Sequence, residues 1–450
     1  MAARTAGPPA TPARAPGGGT PTVNPSAPPA RIGTVQGIDP TRWPDVARVP
    51  NVPARAAVAE RLLRYVARHR GLRIELPGGR ALVPGPAGAP VLRLRRPRDF
   101  LHRIGAFGLI GFGESYQAGD WDTPDPVGLL TALAADPDKL VPVGARWLRR
   151  LHDRHRPAAE LGTVANAPGN VQRHYDLSND LFALFLDPTL SYSSAVFRTG
   201  PGGRPVADWA ALPAAQHRKI DQLLDLARVG VGSQVLEIGT GWGELAIRAA
   251  ARGARVVSLT LSEEQLALAR RRIAEAGLAH RAEVRLCDYR AAEGRYDAVV
   301  SVEMIEAVGR AFWPTYFRCL ERVLAPGGRI ALQAITMPHA RMLATAEKYT
   351  WIIKYVFPGG LIPSIRAIDE GAAGAGLRMA MYQGYGAHYA ETLRLWRERF
   401  LERQAEIDEL GFDQVFRRMW ELYLAYSEAG FRTGYLDVKQ LLLTRAGVTP

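Results

Sequence analysis

The stretch Val235-Leu236-Glu237-Ile238-Gly239-Thr240-Gly241-Trp242-Gly243 decides the fold of this chain. An apolar strand runs into a turn with glycine at every second position, and an alanine-rich helix, Glu244 to Arg252, follows at once. Glycine lets a backbone turn this sharply and lets a ligand come close to it. A strand, a glycine turn and a helix at the start of a βαβ unit build a nucleotide-type pocket. A dinucleotide fold would carry an acid about 20 residues on, at the end of the second strand. Here the second strand, Arg255 to Leu259, runs into Thr260-Leu261-Ser262-Glu263-Glu264-Gln265 instead. No lysine follows the glycines as it would in a phosphate-binding loop. The pattern favours a ligand without phosphates, such as S-adenosylmethionine.

Working outward, strands and helices alternate. The helix Glu263 to Glu275, the strands Ala282 to Leu286 and Ala298 to Val302, and the helix Ala311 to Val323 come in turn. The turn Ala325-Pro326-Gly327-Gly328 and the strand Arg329 to Ala334 close the run. This alternation predicts an α/β fold, a Rossmann-like parallel sheet covered by helices on both faces. Ligands of such sheets sit beyond the carboxyl ends of the strands. Those ends carry Gly239 to Gly243, Thr260 to Gln265, Asp288-Tyr289, Glu303 to Glu306 and Gln333 to Ile335, which predicts one pocket built from five segments.

Upstream, residues 1–50 read as a disordered Pro/Ala/Gly-rich tail. Residues 55–157 read as a small α+β domain, with a helix Ala56 to Arg70 and short strands Ala81 to Val83 and Val91 to Leu94. The stretch Phe107 to Asp122 reads as a turn-rich piece with clustered aromatics. The chain of 450 residues carries a formal charge of +13, almost all of the positive charge being arginine. That balance fits an anionic partner, a lipid surface or a nucleic acid, and equally a codon bias towards arginine. Arg93, Arg95, Arg96, Arg98 and Arg103 form one basic cluster. Arg146, Arg149, Arg150, Arg154 and Arg156 form a second, with Trp147, Leu148 and Leu151 among them as in an interfacial amphipathic helix. A solvated helix packing its apolar side on the body is the equal alternative. No apolar run reaches membrane-spanning length, and no secretory signal opens the chain. Two cysteines, Cys287 and Cys319, form no disulfide framework and fit a reducing cytoplasm.

The segments His174-Tyr175-Asp176-Leu177-Ser178-Asn179-Asp180, Asp187-Pro188, Tyr192-Ser193-Ser194, the glycine turn and Tyr349 to Pro358 together resemble the cyclopropane fatty acid synthase family. The likeness runs in order over residues 160–450, and Gly113-Glu114-Ser115-Tyr116 with Gly119-Asp120-Trp121 resembles the amino-terminal, lipid-binding-type domain of its longer members. The resemblance implies a class I methyltransferase domain with a helical lid. It also implies methyl transfer from S-adenosylmethionine to the cis double bond of a phospholipid acyl chain. Such chemistry needs no protein nucleophile, because the alkene π electrons attack the sulfonium methyl. The protein must align the partners, exclude water, tolerate a carbocation and remove one proton.

Carried over by position, Gly239, Gly241 and Gly243 approach the methionine part, with Tyr192 and Ser193 closing over it. Thr260 and Gln265 lie where the family holds the ribose hydroxyls, a neutral pairing suited to a diol. Asp288 and Tyr289 lie at the adenine, and Glu237, Leu261 and Ser262 complete the cofactor set. A strand-end cap is the competing reading of Asp288. Glu306, in Val302-Glu303-Met304-Ile305-Glu306-Ala307-Val308-Gly309, and Tyr389 match family residues that hold a bicarbonate serving as proton acceptor. Ser194, Gln333 and Ile335 fall at the other positions around that anion. Two of these depart from the family, Ser194 from cysteine and Gln333 from histidine. Glutamine donates a hydrogen bond but carries no positive charge and does not titrate. That departure points to a methylene-branched product, formed by proton loss after a hydride shift, with ring closure to a cyclopropane as the alternative.

The resemblance and the basic clusters imply an enzyme peripheral to the inner face of the plasma membrane, and a methylene product implies a reductase that acts on it. No RNA-binding module is recognisable, which argues against a nucleic-acid partner, and a homodimer is one of the two readings of the later amphipathic helices. Tyr349 to Pro358 reads as a lid over an acyl tunnel. Glu391 to Gln404 and Gln414 to Glu428 read as amphipathic helices that cover the site or form a subunit contact. A small-molecule or RNA methyltransferase would use the same cofactor pocket, and a non-catalytic lipid carrier would keep it as a relic.

Overall fold

The computed structural model describes residues 31–35, 37–135 and 178–447. The basic cluster at 146–156 and the motif residues His174 to Leu177 lie outside the described residues. At the centre is a seven-stranded sheet in the order β12-β13-β11-β10-β7-β8-β9. Its strands are β7 (Gln234–Ile238), β8 (Arg255–Thr260), β9 (Ala282–Leu286), β10 (Tyr296–Val302), β11 (Leu324–Thr336), β12 (Leu377–Gly384) and β13 (Asp437–Arg445). The five strands from β7 to β11 pair in parallel, as the alternation predicted. The edge pair β12 and β13 was not anticipated, and β13 runs antiparallel to both of its neighbours. The expected turn Ala325–Gly328 is a bulge inside β11, since Tyr296 pairs with Leu324 but Ala298 pairs with Arg329.

Strand alternation fills both faces of the sheet. Leu236, Ile238, Val299, Ile330 and Leu332 pack on one side with the helices Trp313–Val323 and Ile365–Ala373. Val235, Val256, Val284, Val300 and Ala331 pack on the other with Leu212–Leu226, Glu244–Ala251 and Glu263–Glu275. Neighbouring residues of one strand thus enter different cores, which is what a strand buried on both faces requires.

The amino-terminal unit begins earlier than expected. Residues 31–50, assigned to the tail, form β1 (Arg31–Thr34), a helical turn Pro44–Ala47 and β2 (Arg48–Pro50). Val46, Ala47 and Val49 are buried there. The apolar residues are few but cluster within five positions, enough to anchor a short segment. The helix Pro53–Arg70 and a four-stranded sheet, β4-β3-β5-β6, follow. In chain order these strands are β3 (Arg73–Glu75), β4 (Ala81–Val83), β5 (Val91–Leu94) and β6 (Trp121–Asp122).

The stretch expected to be turn-rich is instead helix, Leu109–Gln117. Its glycines serve close approach: a Cβ on Gly111 would lie 2.1 Å from the Arg103 carbonyl oxygen, and one on Gly113 would lie 2.3 Å from the Trp351 ring. The first basic cluster is also not a free cationic face. Arg93 pairs with Glu75, Arg95 with Asp122, and Arg96 with Asp120. Arg103 is fully buried, bonded to Asp120 at 2.9 Å and to the carbonyls of Asp45, Val46 and Arg48. Its guanidinium ties the segment Asp45–Arg48 to the domain body.

Candidate functional site

The carboxyl ends of β7, β8, β9, β10 and β11 all meet one edge of the sheet, so the five predicted segments converge. At the glycine turn, Gly239, Gly241 and Gly243 have φ of +99°, +52° and +90°. The Gly239 and Thr240 amides donate to the Leu259 carbonyl, holding the turn against β8. A Cβ on Gly241 would meet nothing within 4 Å, whereas one on Gly243 would press on Ala269 at 3.2 Å. Gly241 therefore leaves open space beside the backbone, and Gly243 serves helix packing. Such a cradle fits S-adenosylmethionine.

Glu237 is buried beneath the turn. It accepts a 2.6 Å bond from Ser258 Oγ, which in turn meets Thr240 Oγ1 at 2.6 Å. Burial pushes its carboxyl up to about 8. Glu237 supports the turn through this chain of hydroxyls. At the end of β8, Thr260 Oγ1 donates to Gln265 Oε1 at 2.9 Å, and Ser262 caps the following helix by accepting from the Gln265 amide. Leu261 is half-buried in the same turn. Asp288 caps its own short turn at the Arg290 amide, and Arg290 closes on both of its oxygens at 2.8 and 2.6 Å. Burial alone would raise the Asp288 carboxyl, but the Arg290 bonds hold it below the usual range. The cap reading of Asp288 is thus realised, and Tyr289 is buried beside it.

The catalytic side differs from expectation in its central residue. Glu303, the first residue after β10, is half-buried with a left-handed φ of +50°. Its Oε1 accepts from the Ser194 amide at 2.9 Å and from Gln333 Nε2 at 2.8 Å. Its Oε2 accepts from the Tyr389 hydroxyl at 2.6 Å. Tyr389 therefore bonds Glu303. Glu306 lies beside it and accepts from the Ile335 amide, and its Oε2 is buried without a hydrogen-bond partner. Ser194 acts through its backbone, since its hydroxyl turns to the Ala195 carbonyl. Burial, reinforced by the nearby Glu303 charge, pushes Glu306 up to about 8.

A second layer escaped the sequence reading. Gln440, in β13, donates to Gln333 Oε1 at 3.1 Å and to the Lys219 carbonyl at 3.2 Å. Lys219 is buried, and its ammonium donates to Ser193 Oγ at 2.6 Å. Burial lowers it to about 8 against the pull of Glu303, Asp187, Glu237 and Glu244. Gln216 holds the carbonyls of Ser191 and Ser193. The signal for Lys219 was available: Leu212, Ala215, Lys219 and Leu223 fall on the apolar face of one helix, where a lysine needs a partner. For Gln440 the only local signal was a polar residue inside an apolar strand.

Aromatic groups roof the site. Tyr192 lies tilted against Trp396 and edge-on to Phe182, and its hydroxyl meets Tyr423 at 2.7 Å. The predicted lid contains a short helix, Trp351–Tyr355, docked on the amino-terminal unit. Trp351 donates to Gln117 at 2.8 Å, and Lys354 and Tyr355 both reach buried Glu114. The two amphipathic stretches become the helices Gly386–Glu402 and Gln414–Arg432, whose Trp396, Phe400, Trp420 and Tyr423 enter the core around the site. They cover the site.

The family described as mycolic acid cyclopropane synthetase matches residues 164–441. Tuberculostearic acid methyltransferase UfaA1 of Mycobacterium tuberculosis is 56% identical over 414 residues, covering 91% of this chain and 97% of the relative. That coverage takes in the amino-terminal unit. Cyclopropane-fatty-acyl-phospholipid synthase of Escherichia coli is 32% identical over 81% of this chain and 90% of its own length. Among solved structures, the M. tuberculosis cyclopropane synthase MmaA2 superposes with a TM-score of 0.55 at 33% identity, covering 61% of this chain and 97% of its own. CmaA1 complexed with SAH and CTAB gives 0.55 at 31%, over 64% and 98%. With this fold, this glycine cradle and these matches, the chain belongs to the mycolic acid cyclopropane synthetase family and is a methyltransferase that uses S-adenosylmethionine.

Proposed function

We propose that the protein methylates the cis double bond of an unsaturated phospholipid acyl chain and releases a methylene-branched chain. The observation that carries this reading is the carboxylate pair Glu303 and Glu306, held by the Ser194 and Ile335 amides, Gln333 and Tyr389 beside the glycine cradle and under an aromatic roof. A carboxylate held by fixed donors and screened by aromatic walls suits proton removal from a hydrocarbon cation. S-adenosylmethionine, when bound, supplies the electrophilic methyl group. The chain itself holds the cofactor at Gly239 to Gly243 and offers Thr260 and Gln265 to the ribose. Tyr192 and the aromatic wall exclude water, and their ring faces stabilise positive charge on the acyl chain.

The kinship with a tuberculostearic acid methyltransferase supports a fatty acyl acceptor and a branched product. Kinship with the E. coli cyclopropane-fatty-acyl-phospholipid synthase supports ring closure as the second reading and phospholipid as the acceptor class. The charge of +13 supports action at an anionic inner membrane face, and a methylene product would be the substrate of a separate reductase. Among the described residues, no helix is long and apolar enough to cross a membrane. The test is mass spectrometry of oleoyl phospholipid vesicles incubated with the protein and methyl-labelled S-adenosylmethionine, before and after ozonolysis. Ozone cleaves a methylene alkene and leaves a cyclopropane intact, so a labelled, ozone-sensitive ester is expected. A labelled, ozone-resistant ester would establish ring closure instead.

A further inference from the structure

We infer that Glu303 is the proton acceptor of the reaction, a carboxylate built into the chain at the place where the family resemblance puts a bound bicarbonate. The inference rests on the methyl-transfer reading above. The residues assigned to that anion by position are Ser194, Glu306, Gln333, Ile335 and Tyr389. The Ser194 amide, the Gln333 side-chain amide and the Tyr389 hydroxyl all point instead at the Glu303 carboxylate, at 2.9, 2.8 and 2.6 Å. The Ile335 amide points at Glu306. With these donors engaged, bicarbonate does not fit the site as it stands.

The orientation of Gln333 is not arbitrary. Gln440 donates to its Oε1, which turns its NH₂ towards Glu303. An amide held this way gives a carboxylate a fixed neutral donor. The left-handed backbone at Glu303, φ +50°, is a conformation that a glutamate rarely adopts, and it is kept where the side chain must reach the centre of this cluster. A carboxylate has about four lone-pair sites, of which three are used here, leaving one on Oε2 for a proton.

The neighbouring acid sets the charge state. Burial raises both carboxyls, but the three donors draw Glu303 back, whereas Glu306 has only backbone amides to offset its burial and the Glu303 charge against it. The Glu303 charge is among the causes that raise Glu306, and of the two adjacent carboxyls Glu303 is the one whose donors favour the ionised form.

The step balances as follows. The alkene π pair forms the new bond to the methyl carbon while the methyl–sulfur bond breaks and its pair stays on sulfur, so S-adenosylhomocysteine leaves and a cation remains on the adjacent alkene carbon. A hydride moves with its electron pair from the methyl-bearing carbon to that cation, so the positive charge passes to the branch point. Glu303 Oε2 takes a proton from the new methyl group, and the C–H pair becomes the methylene π bond. Glu303 is left as a carboxylic acid and returns the proton to water after the product leaves. Ring closure would use the same base, with the C–H pair closing the ring.

The test compares the full-length wild type, Glu303→Gln and Glu303→Gly in carbonate-free buffer, with oleoyl phospholipid vesicles and labelled S-adenosylmethionine. The left-handed φ makes glycine a natural occupant, so E303G is expected to fold, as checked by binding of S-adenosylhomocysteine in a calorimeter. Wild-type turnover is expected to be unchanged when bicarbonate is added, and E303Q to fall by about 100-fold or more. In E303G the freed donors should accept an added anion. Bicarbonate or formate should raise its melting temperature and restore part of its turnover, while neither shifts the wild type. A wild type that needs bicarbonate, or E303Q with near-normal turnover, would overturn the inference. So would an E303G that binds cofactor but neither is stabilised nor rescued by either anion. A wild type that labels no lipid while binding cofactor would instead refute the methyl-transfer reading, and the anion-dependent melting of E303G would still report on the site.

Discussion

Glu306 carries a cost that can be measured by pH. Its carboxyl is raised from an ordinary 4.5 to about 8 in the folded chain. A group raised on folding favours the native state below its unfolded pKa, and that contribution is lost as pH climbs to the folded value. Wild-type stability should therefore decline between pH 5 and 8 from this group. In Glu306→Gln the decline from this source disappears. The stability difference between the two should move in favour of E306Q by on the order of 3 kcal/mol across that window, read from denaturant midpoints. A constant difference would show that Glu306 is ionised throughout. At the cofactor side, Gly239→Val forces a β-branched residue to φ +99°. A loss of S-adenosylhomocysteine affinity of about 100-fold is expected by calorimetry, because the turn must shift away from the ligand.

Among the elements, the helix Leu109–Gln117 and the lid helix Trp351–Tyr355 act as one device. Gly113 lets the Trp351 ring lie on the helix backbone, and the buried Glu114 holds Lys354 at 2.5 Å and Tyr355 at 2.9 Å. Gly113→Val would place methyl groups where the indole now sits. A stability loss of about 1–3 kcal/mol is expected, with a raised KM for lipid and unchanged cofactor affinity. If lipid KM stays constant while stability falls, the lid contact is structural only. Here local reading failed for a physical reason. Glycine spacing in 107–122 looks like turn chemistry, yet these glycines exist for contacts with Arg103 and Trp351, the latter more than 200 positions away. In the glycine turn at 239–243 the same residue type was read correctly, because the strand before it and the helix after it are themselves local.

For the molecule as a whole, the amino-terminal unit and the helices over the sheet share one core. Leu129 and Trp121 of the first unit join Phe182, Trp396, Trp420 and Tyr423 of the second in a continuous apolar cluster. Arg418 sits 4.0 Å from the centre of the Tyr116 ring and bonds the Tyr116 and Trp121 carbonyls. Removing residues 1–135 would expose the helix Gln414–Arg432 along that contact. The truncated chain should be aggregation-prone or lose near-ultraviolet circular dichroism, while a well-folded, active fragment would show that the two units are independent.

What the sequence alone determined was whatever depends on neighbours along the chain. Hydrophobic alternation marked β7 to β11 and the helices between them. The glycine turn marked the sharp bend at the end of β7, and the strand order implied that five loops meet at one edge. Tertiary structure decided which of two nearby glutamates occupies the centre. Glu303 and Glu306 lie on one short motif, and no local pattern ranks them. Glu303 is chosen because antiparallel β13 brings Gln440 against Gln333, and because Ser194 arrives from a loop 109 positions before it and Tyr389 from the helix Gly386–Glu402, 86 positions after it. Pairing over such distances is set by sheet register and by the burial of both faces, which no window of sequence contains. The same holds for Arg93, Arg95, Arg96 and Arg103: composition counted their charge, and only folding placed carboxylates beside them.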